Sequence, residues 1–404
     1  MFIIILLILS VLFIIVSTVR LKLHPFLSLL FTAIGYGILS GMPLDKVVES
    51  VSSGFGNTIG YIGIIIVAGC IIGNFLEQSG GVYTLAEVIL KIVGQKRVHL
   101  VMIIIGYIVS IPVFADSGFV ILSPLNRALS KRARISLAGS AIALVLGLII
   151  THCLVPPTPG PIAAAGILYA DLGLVIMLGL IVGLAPLATG WLFASRFASR
   201  TYIDPNPDLT EEQLTAKMKE APGALKAFMP ILLPIFLIII KSISELPSNP
   251  LGSGVIKNIF GFIGAPLIAL LIGTLLSFLL PKKFDRAMLS GTGWVGKALL
   301  DASIIILITG AGGAFGMVLR NSGIADLIGN SLADINLSIW LPFILAAALK
   351  SAQGSSTVAI ITTASLIAPL MTSLGFDTPV DKALVVLSIG AGSMVVSHAN
   401  DSIF

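Results

Sequence analysis

Residues 151–161, "THCLVPPTPGP", close an apolar run, "SLAGSAIALVLGLIIT" (136–151), that carries no charge and reads as a membrane helix. The chain then sets Pro156, Pro157, Pro159 and Pro161 almost side by side. Proline removes a backbone donor and breaks a helix interior. Irregular backbone at membrane depth is tolerated only where it is buried in protein or lines a protected cavity. The stretch therefore predicts a broken helix lining a cavity inside a membrane bundle.

Composition agrees. Of 404 residues 56% are hydrophobic and 11% charged, against about 25% charged in a soluble domain, and mean hydropathy is +1.07. So apolar a chain cannot cover its own surface in water, which predicts an all-α polytopic membrane protein. Residues 1–19 lack a basic n-region and a small-residue cleavage site, and Arg20 and Lys22 follow, so they read as a retained first helix. Cys70 and Cys153 lie in apolar segments and imply neither a disulfide framework nor a metal site. The net charge of +5 points to cytoplasmic loops and not to a nucleic-acid partner.

Spans of about 20 apolar residues cross a bilayer. They are expected near 1–19, 25–41, 58–79, 135–168 (broken), 172–195, 224–243, 263–280, 300–320 and 382–404 (broken), with a solvated linker over 199–223. Amphipathic segments at 44–56 and 284–299 precede two of the spans. Two further apolar stretches are interrupted halfway: 98–126 by "IPVFADSG" (111–118) and 338–372 by "SAQGSS" (351–356). Lys96 and Arg97 precede the first; Arg127, Lys131, Arg132 and Arg134 follow it. The positive-inside rule puts both clusters in the cytoplasm, so this stretch enters and returns as a re-entrant hairpin. Asp326, Asp334, Asp377, Asp381 and Lys382 flank the second and suit the external side. The tips would meet near the midplane, and the N-terminus would be external.

Hairpins from opposite faces, each followed by a broken helix, predict two inverted repeats, 1–198 and 224–404, around the linker. That architecture points to a secondary transporter. "GNFLEQSG" (73–80) resembles "GMVLRNSG" (316–323), and the break at His152 resembles "SHANDSIF" (397–404). The first repeat continues through 172–195, so a matching final span is expected beyond Phe404.

Candidate site residues follow from these breaks. Asp116 is the one carboxylate expected inside the first hairpin, and intramembrane carboxylates mark proton relays; pairing with a helix end is the structural alternative. Ser117 and Gly118 add a hydroxyl and a backbone open to close ligand approach. His152 and His398 occupy matching places, and histidine titrates near neutral pH. Gly354, Ser355, Ser356 and Thr357 crowd the second tip, where a helix N-terminus would present N–H groups to an anion. Asn400 and Asp401 give the second break an amide and a carboxylate. The nearest basic residues to the tips are Arg127 and Lys350. The expectation is therefore an anion held by hydroxyls and backbone N–H groups, with Lys350 acting through packing or surface potential. "GAGGAFG" (310–316) has no following P-loop lysine and reads as a helix-packing stretch.

In "HPFLSLL" (24–30), "PVFADSGFVILSPL" (112–125), "THCLVPPTPGPIAAAGILYADLG" (151–173), "GAGGAF" (310–315), "QGSSTVA" (353–359) and "SHANDS" (397–402), the chain resembles the gluconate:proton symporter family. That family also includes permeases for D-serine, glycerate and related sugar acids. The resemblance extends over essentially the whole chain, and the Pro-rich stretch is its most specific part. It implies the ion transporter superfamily fold: a bacterial inner-membrane homodimer with a scaffold and a moving, elevator-type transport domain. It also implies proton-coupled uptake of a small hydroxylated monocarboxylate such as gluconate. Asp116, His152 or Asp401 would carry the proton, and Ser117, Gly118, His152, Thr158, Gly354, Ser355, Ser356, Thr357, His398 and Asn400 would bind the acid. Members often carry a second histidine where this chain has Thr158, and a glutamate where it has Asp116. No cofactor is implied beyond the coupling ion.

Two other readings stay open at this stage. Hydroxyl and amide oxygens at the breaks suit sodium as the coupling ion. His152 with Asp116 could form an acid/base pair of an intramembrane enzyme, although no metal triplet or activated nucleophile accompanies them.

Overall fold

The structure, a computed structural model of the chain, describes residues 2–94, 97–206, 220–245, 254–324 and 338–396. The described residues are helical throughout. In order they form α1 (Phe2–Val19), α2 (Pro25–Leu39), α3 (Leu44–Gln78), α4 (Gly81–Val93), α5 (Val98–Val109), α6 (Ala115–Ala133), α7 (Leu137–Leu154), α8 (Pro159–Leu168), α9 (Leu172–Val182) and α10 (Leu184–Arg196). After the linker come α11 (Ala224–Ser244), α12 (Val255–Ile263), α13 (Pro266–Ser277), α14 (Trp294–Asn321), α15 (Trp340–Gln353), α16 (Ser356–Ile367) and α17 (Pro379–Gly392). His398, Asn400 and Asp401 lie outside the described residues, as do Lys96, Asp326 and Asp334.

Among the described residues five helical stretches are long and apolar enough to cross a membrane, or six if α12 and α13, bent by 64°, count as one. Several boundaries differ from expectation. The amphipathic segment 44–56 is no separate element but the first third of α3, whose 35 residues rise about 52 Å. That exceeds the ~30 Å hydrocarbon core, so α3 must tilt or project. In the second half, a short 3-10 turn at Arg286–Leu289 precedes α14. The span 172–195 divides at Gly183 into α9 and α10. Helices α4 and α12 were not expected, because each is too short to register as a span.

Local chemistry starts the helices where the sequence turns polar. Ser136 caps α7 by accepting from Ala138 N–H, Asp171 caps α9 through Leu174 N–H, and Thr378 and Asp381 form a reciprocal capping box on α17. Each satisfies donors that a helix start leaves unpaired.

Antiparallel α3 and α14 form the central pair; Asn321 of α14 donates to Ser50 of α3 at 2.8 Å. The first interrupted stretch does fold back on itself. Residues 99, 103 and 107 of α5 lie beside 139, 147 and 151 of α7, so these helices run parallel. Gly118 abuts Leu148, and Ser130 bonds Ser140 at 2.6 Å, so α6 runs antiparallel to α7. Helices α5 and α6 are thus a hairpin with both outer ends at the start of α7. Alone, the 12 residues of α5 reach about 18 Å, half a bilayer. Backbone contact permits this packing: a Cβ at Gly147 would strike the Ile103 carbonyl.

The second interrupted stretch packs on the helix that follows it. Ser388 of α17 donates to the Ile339 carbonyl, and Gly392 abuts Phe343, so α15 runs along α17. Ser356, at the start of α16, donates to the Ser393 carbonyl at the end of α17. The two halves touch where α7 ends, with Gly390 of α17 against the Cys153 carbonyl.

Candidate functional site

The prolines settle the difficulty that they pose. A broken helix leaves N–H groups without partners, and Pro156, Pro157, Pro159 and Pro161 have none to strand. The Val155 N–H bonds the Thr151 carbonyl at 2.9 Å, and the Thr158 N–H bonds the Val155 carbonyl at 3.4 Å. Pro159 opens α8 at its first position, where a missing donor costs nothing. Between 155 and 161, Gly160 alone keeps an N–H with no partner among the described residues. The Thr158 hydroxyl donates to the Val155 carbonyl at 2.6 Å and is buried; its acceptor lone pairs remain.

The first hairpin turn, residues 110–114, packs on this break. Ile111, Pro112, Val113 and Phe114 share a small cavity with Pro157, Thr158 and Pro159, of about 10 Å³. That is about the least that holds one water. Helix α3 runs past both: a Cβ at Gly73 would strike the Pro112 carbonyl, and a Cβ added at Gly69 would lie 3.4 Å from Pro157. Ser110, fully buried at the turn, has a hydroxyl with no partner among the described residues.

Asp116 sits in the first turn of α6, half-buried. Its Oδ1 accepts the Ser117 N–H at 2.8 Å, the helix-end pairing weighed above. Glu77, at the end of α3, is in electrostatic range of Asp116, Asp301 and Lys297. Asp116 is therefore not an isolated carboxylate. Sequence reasoning missed Glu77 and Asp301. The available signal was spacing: Gly69, Gly73 and Glu77 recur every fourth residue and so share one face of α3. The face of Gly118 is occupied by Leu148, whose Cδ2 would lie 2.9 Å from an added Cβ. In this conformation it serves helix packing.

At the second turn Gly354 adopts φ +86°, ending α15 in the left-handed region that glycine tolerates. Ser355 caps α16 by accepting the Val358 N–H at 3.4 Å. Ser356 is buried and Thr357 half-buried. Lys350 corrects the expectation of a turn without a nearby cation. It is fully buried, so surface potential is not its role. Its Nζ donates to the Gly354 carbonyl and, at 3.0 Å, to the Ser356 hydroxyl. It thereby ties α15 to the start of α16. The misreading came from treating sequence distance as distance: one helical turn brings residue 350 over residue 354.

The structure thus joins the first turn, the Pro-rich break and Glu77 in one cluster. Helix α16 reaches that break from the other side, with Ile360 packed on Gly160. His152 is buried in the last turn of α7. The cavity between the first turn and the Pro-rich break, about 10 Å³ among the described residues, is too small for an organic acid.

A family model for the GntP family permeases matches residues 1–404. The chain is 35% identical over 396 residues to a protein of Pseudomonas aeruginosa named gluconate permease, covering 96% of this chain and 86% of that one. It is 33% identical over 411 residues to the inner membrane permease YgbN of Escherichia coli, with 98% and 88% covered. The crystal structure of the YdaH transporter of Alcanivorax borkumensis is similar in fold, with a TM-score of 0.58 at 14% identity, over 93% of this chain and 88% of that one. With its whole length matched and its apolar helices in view, the chain belongs to the GntP family permeases and is a multi-pass membrane transporter, not an enzyme.

Proposed function

We propose that this permease takes up a small hydroxylated monocarboxylate, gluconate first, by symport with protons. The observation that carries the reading is that buried polar groups gather at the helix breaks of an otherwise apolar interior: Ser110 and Thr158 on one side, Lys350 and Ser356 on the other. Relatives named gluconate permeases supply the acid. A carboxylate would meet the start of α16 and the Lys350 ammonium, while the hydroxyls match those of a sugar acid. Asp116 would carry the proton, with Glu77 and the exposed Asp301 between it and the end of the molecule that bears Lys282, Lys283 and Arg286.

The cavity of about 10 Å³ at the Pro-rich break has no room for such an acid, so on this reading the hairpins move to admit it. An elevator-type motion of α5–α8 and α15–α17 against α3 and α14, in two inverted repeats, is the movement this reading adopts. The homodimer follows from the family resemblance. The test is accumulation of labelled gluconate in proteoliposomes with acid outside. Accumulation above equilibrium that a protonophore abolishes is expected. Accumulation that ignores the proton gradient and follows sodium would refute proton coupling.

A further inference from the structure

A cavity of about 200 Å³ lies away from the breaks. It opens between the central pair α3 and α14 and the far ends of α8 and α16. Its lining includes Arg320, Lys382, Asp377, Thr58, Thr372 and Tyr169. Drug-sized ligands occupy about 300–1,000 Å³, so this volume suits a smaller solute. Gly313 and Gly316 stand in the lining, where a Cβ on Gly313 would strike the Thr58 hydroxyl and one on Gly316 would press on the Ser365 backbone.

Charge sets the ligand class. Arg320 and Lys382 make no salt bridge among the described residues, and Asp377 is the single acidic side chain facing them in the lining. A hydroxyl pair, Thr58 and Thr372, stands beside them. A guanidinium, an ammonium and hydroxyls suit a carboxylate bearing hydroxyl groups. The cavity sits at the end of α14 opposite Lys282, Lys283 and Arg286, which the positive-inside rule makes the outer face.

The geometry points to an outer binding site for the transported acid, in which Arg320 and Lys382 hold its carboxylate before it reaches the breaks. This rests on the transport reading above. Cations at an open mouth also raise the local concentration of an anion, an effect that salt screens.

The test is labelled gluconate uptake into proteoliposomes by the wild type, Arg320→Gln/Lys382→Gln, and Arg320→Lys. The double variant is expected to raise KM about 5- to 10-fold with Vmax within twofold. That gap should shrink in about 0.5 M salt, where the Debye length falls to roughly 4 Å. Arg320→Lys should stay near wild type. An unchanged KM in the double variant, or a loss confined to Vmax, overturns the site and leaves Arg320 as a complement to the carboxyl end of α14. Wild-type vesicles that take up no gluconate overturn the transport reading, and this inference with it.

Discussion

Replacing Lys350 by methionine keeps the apolar stem and deletes the ammonium. Two hydrogen bonds disappear: one to the Gly354 carbonyl, the other to the Ser356 hydroxyl at 3.0 Å. Bonds from a charged donor contribute about 1.5–3 kcal/mol each. Burying the ammonium carries a desolvation cost, which the substitution returns in part. What remains is chiefly the Gly354 carbonyl left buried without its donor, about 1–3 kcal/mol, with a smaller loss at Ser356, whose hydroxyl still reaches the Ser393 carbonyl at 3.4 Å. The expected net cost is about 2–4 kcal/mol. At roughly 2 °C per kcal/mol for a chain of this size, the melting temperature in detergent should fall by about 4–8 °C. Uptake should fall at least about tenfold, because the turn that starts α16 loses its tie to α15. Ser356→Ala removes one of the two bonds: it should melt about 3–6 °C below wild type and bind the acid about tenfold more weakly. A Lys350→Met protein that melts and transports like wild type would refute the assignment of a structural and binding role to this cation.

Two further outcomes follow from the first hairpin. Asp116→Asn should abolish accumulation driven by a proton gradient while exchange of internal for external substrate persists, and accumulation at the wild-type level would move the proton to His152 or Glu77. Cysteines replacing Arg97 and Lys131 should react with an impermeant reagent from the same, cytoplasmic side, since both ends of the α5–α6 hairpin meet the start of α7; labelling from opposite sides would mean a spanning segment.

Hydrophobic runs and charge placement, written in the chain itself, determined the membrane class, the helix breaks at 110–114, 155–158 and 354–355, and the folding-back of residues 98–133. These features depend on local causes: proline has no N–H to satisfy, glycine alone ends α15 at φ +86°, and basic flanks resist crossing a bilayer. What meets what across the bundle was decided only by tertiary packing. Glu77 comes into electrostatic range of Asp116 because Gly73 lets α3 press against the Pro112 carbonyl. Lys350 enters the second turn because a helix end folds its stem inward onto Gly354. The 200 Å³ cavity is lined by Thr58, Tyr169, Arg320 and Lys382, brought together from separate stretches of the chain. No periodicity in a single sequence encodes such neighbours. They arise when separate helices are drawn close enough for missing side chains to become contacts or space.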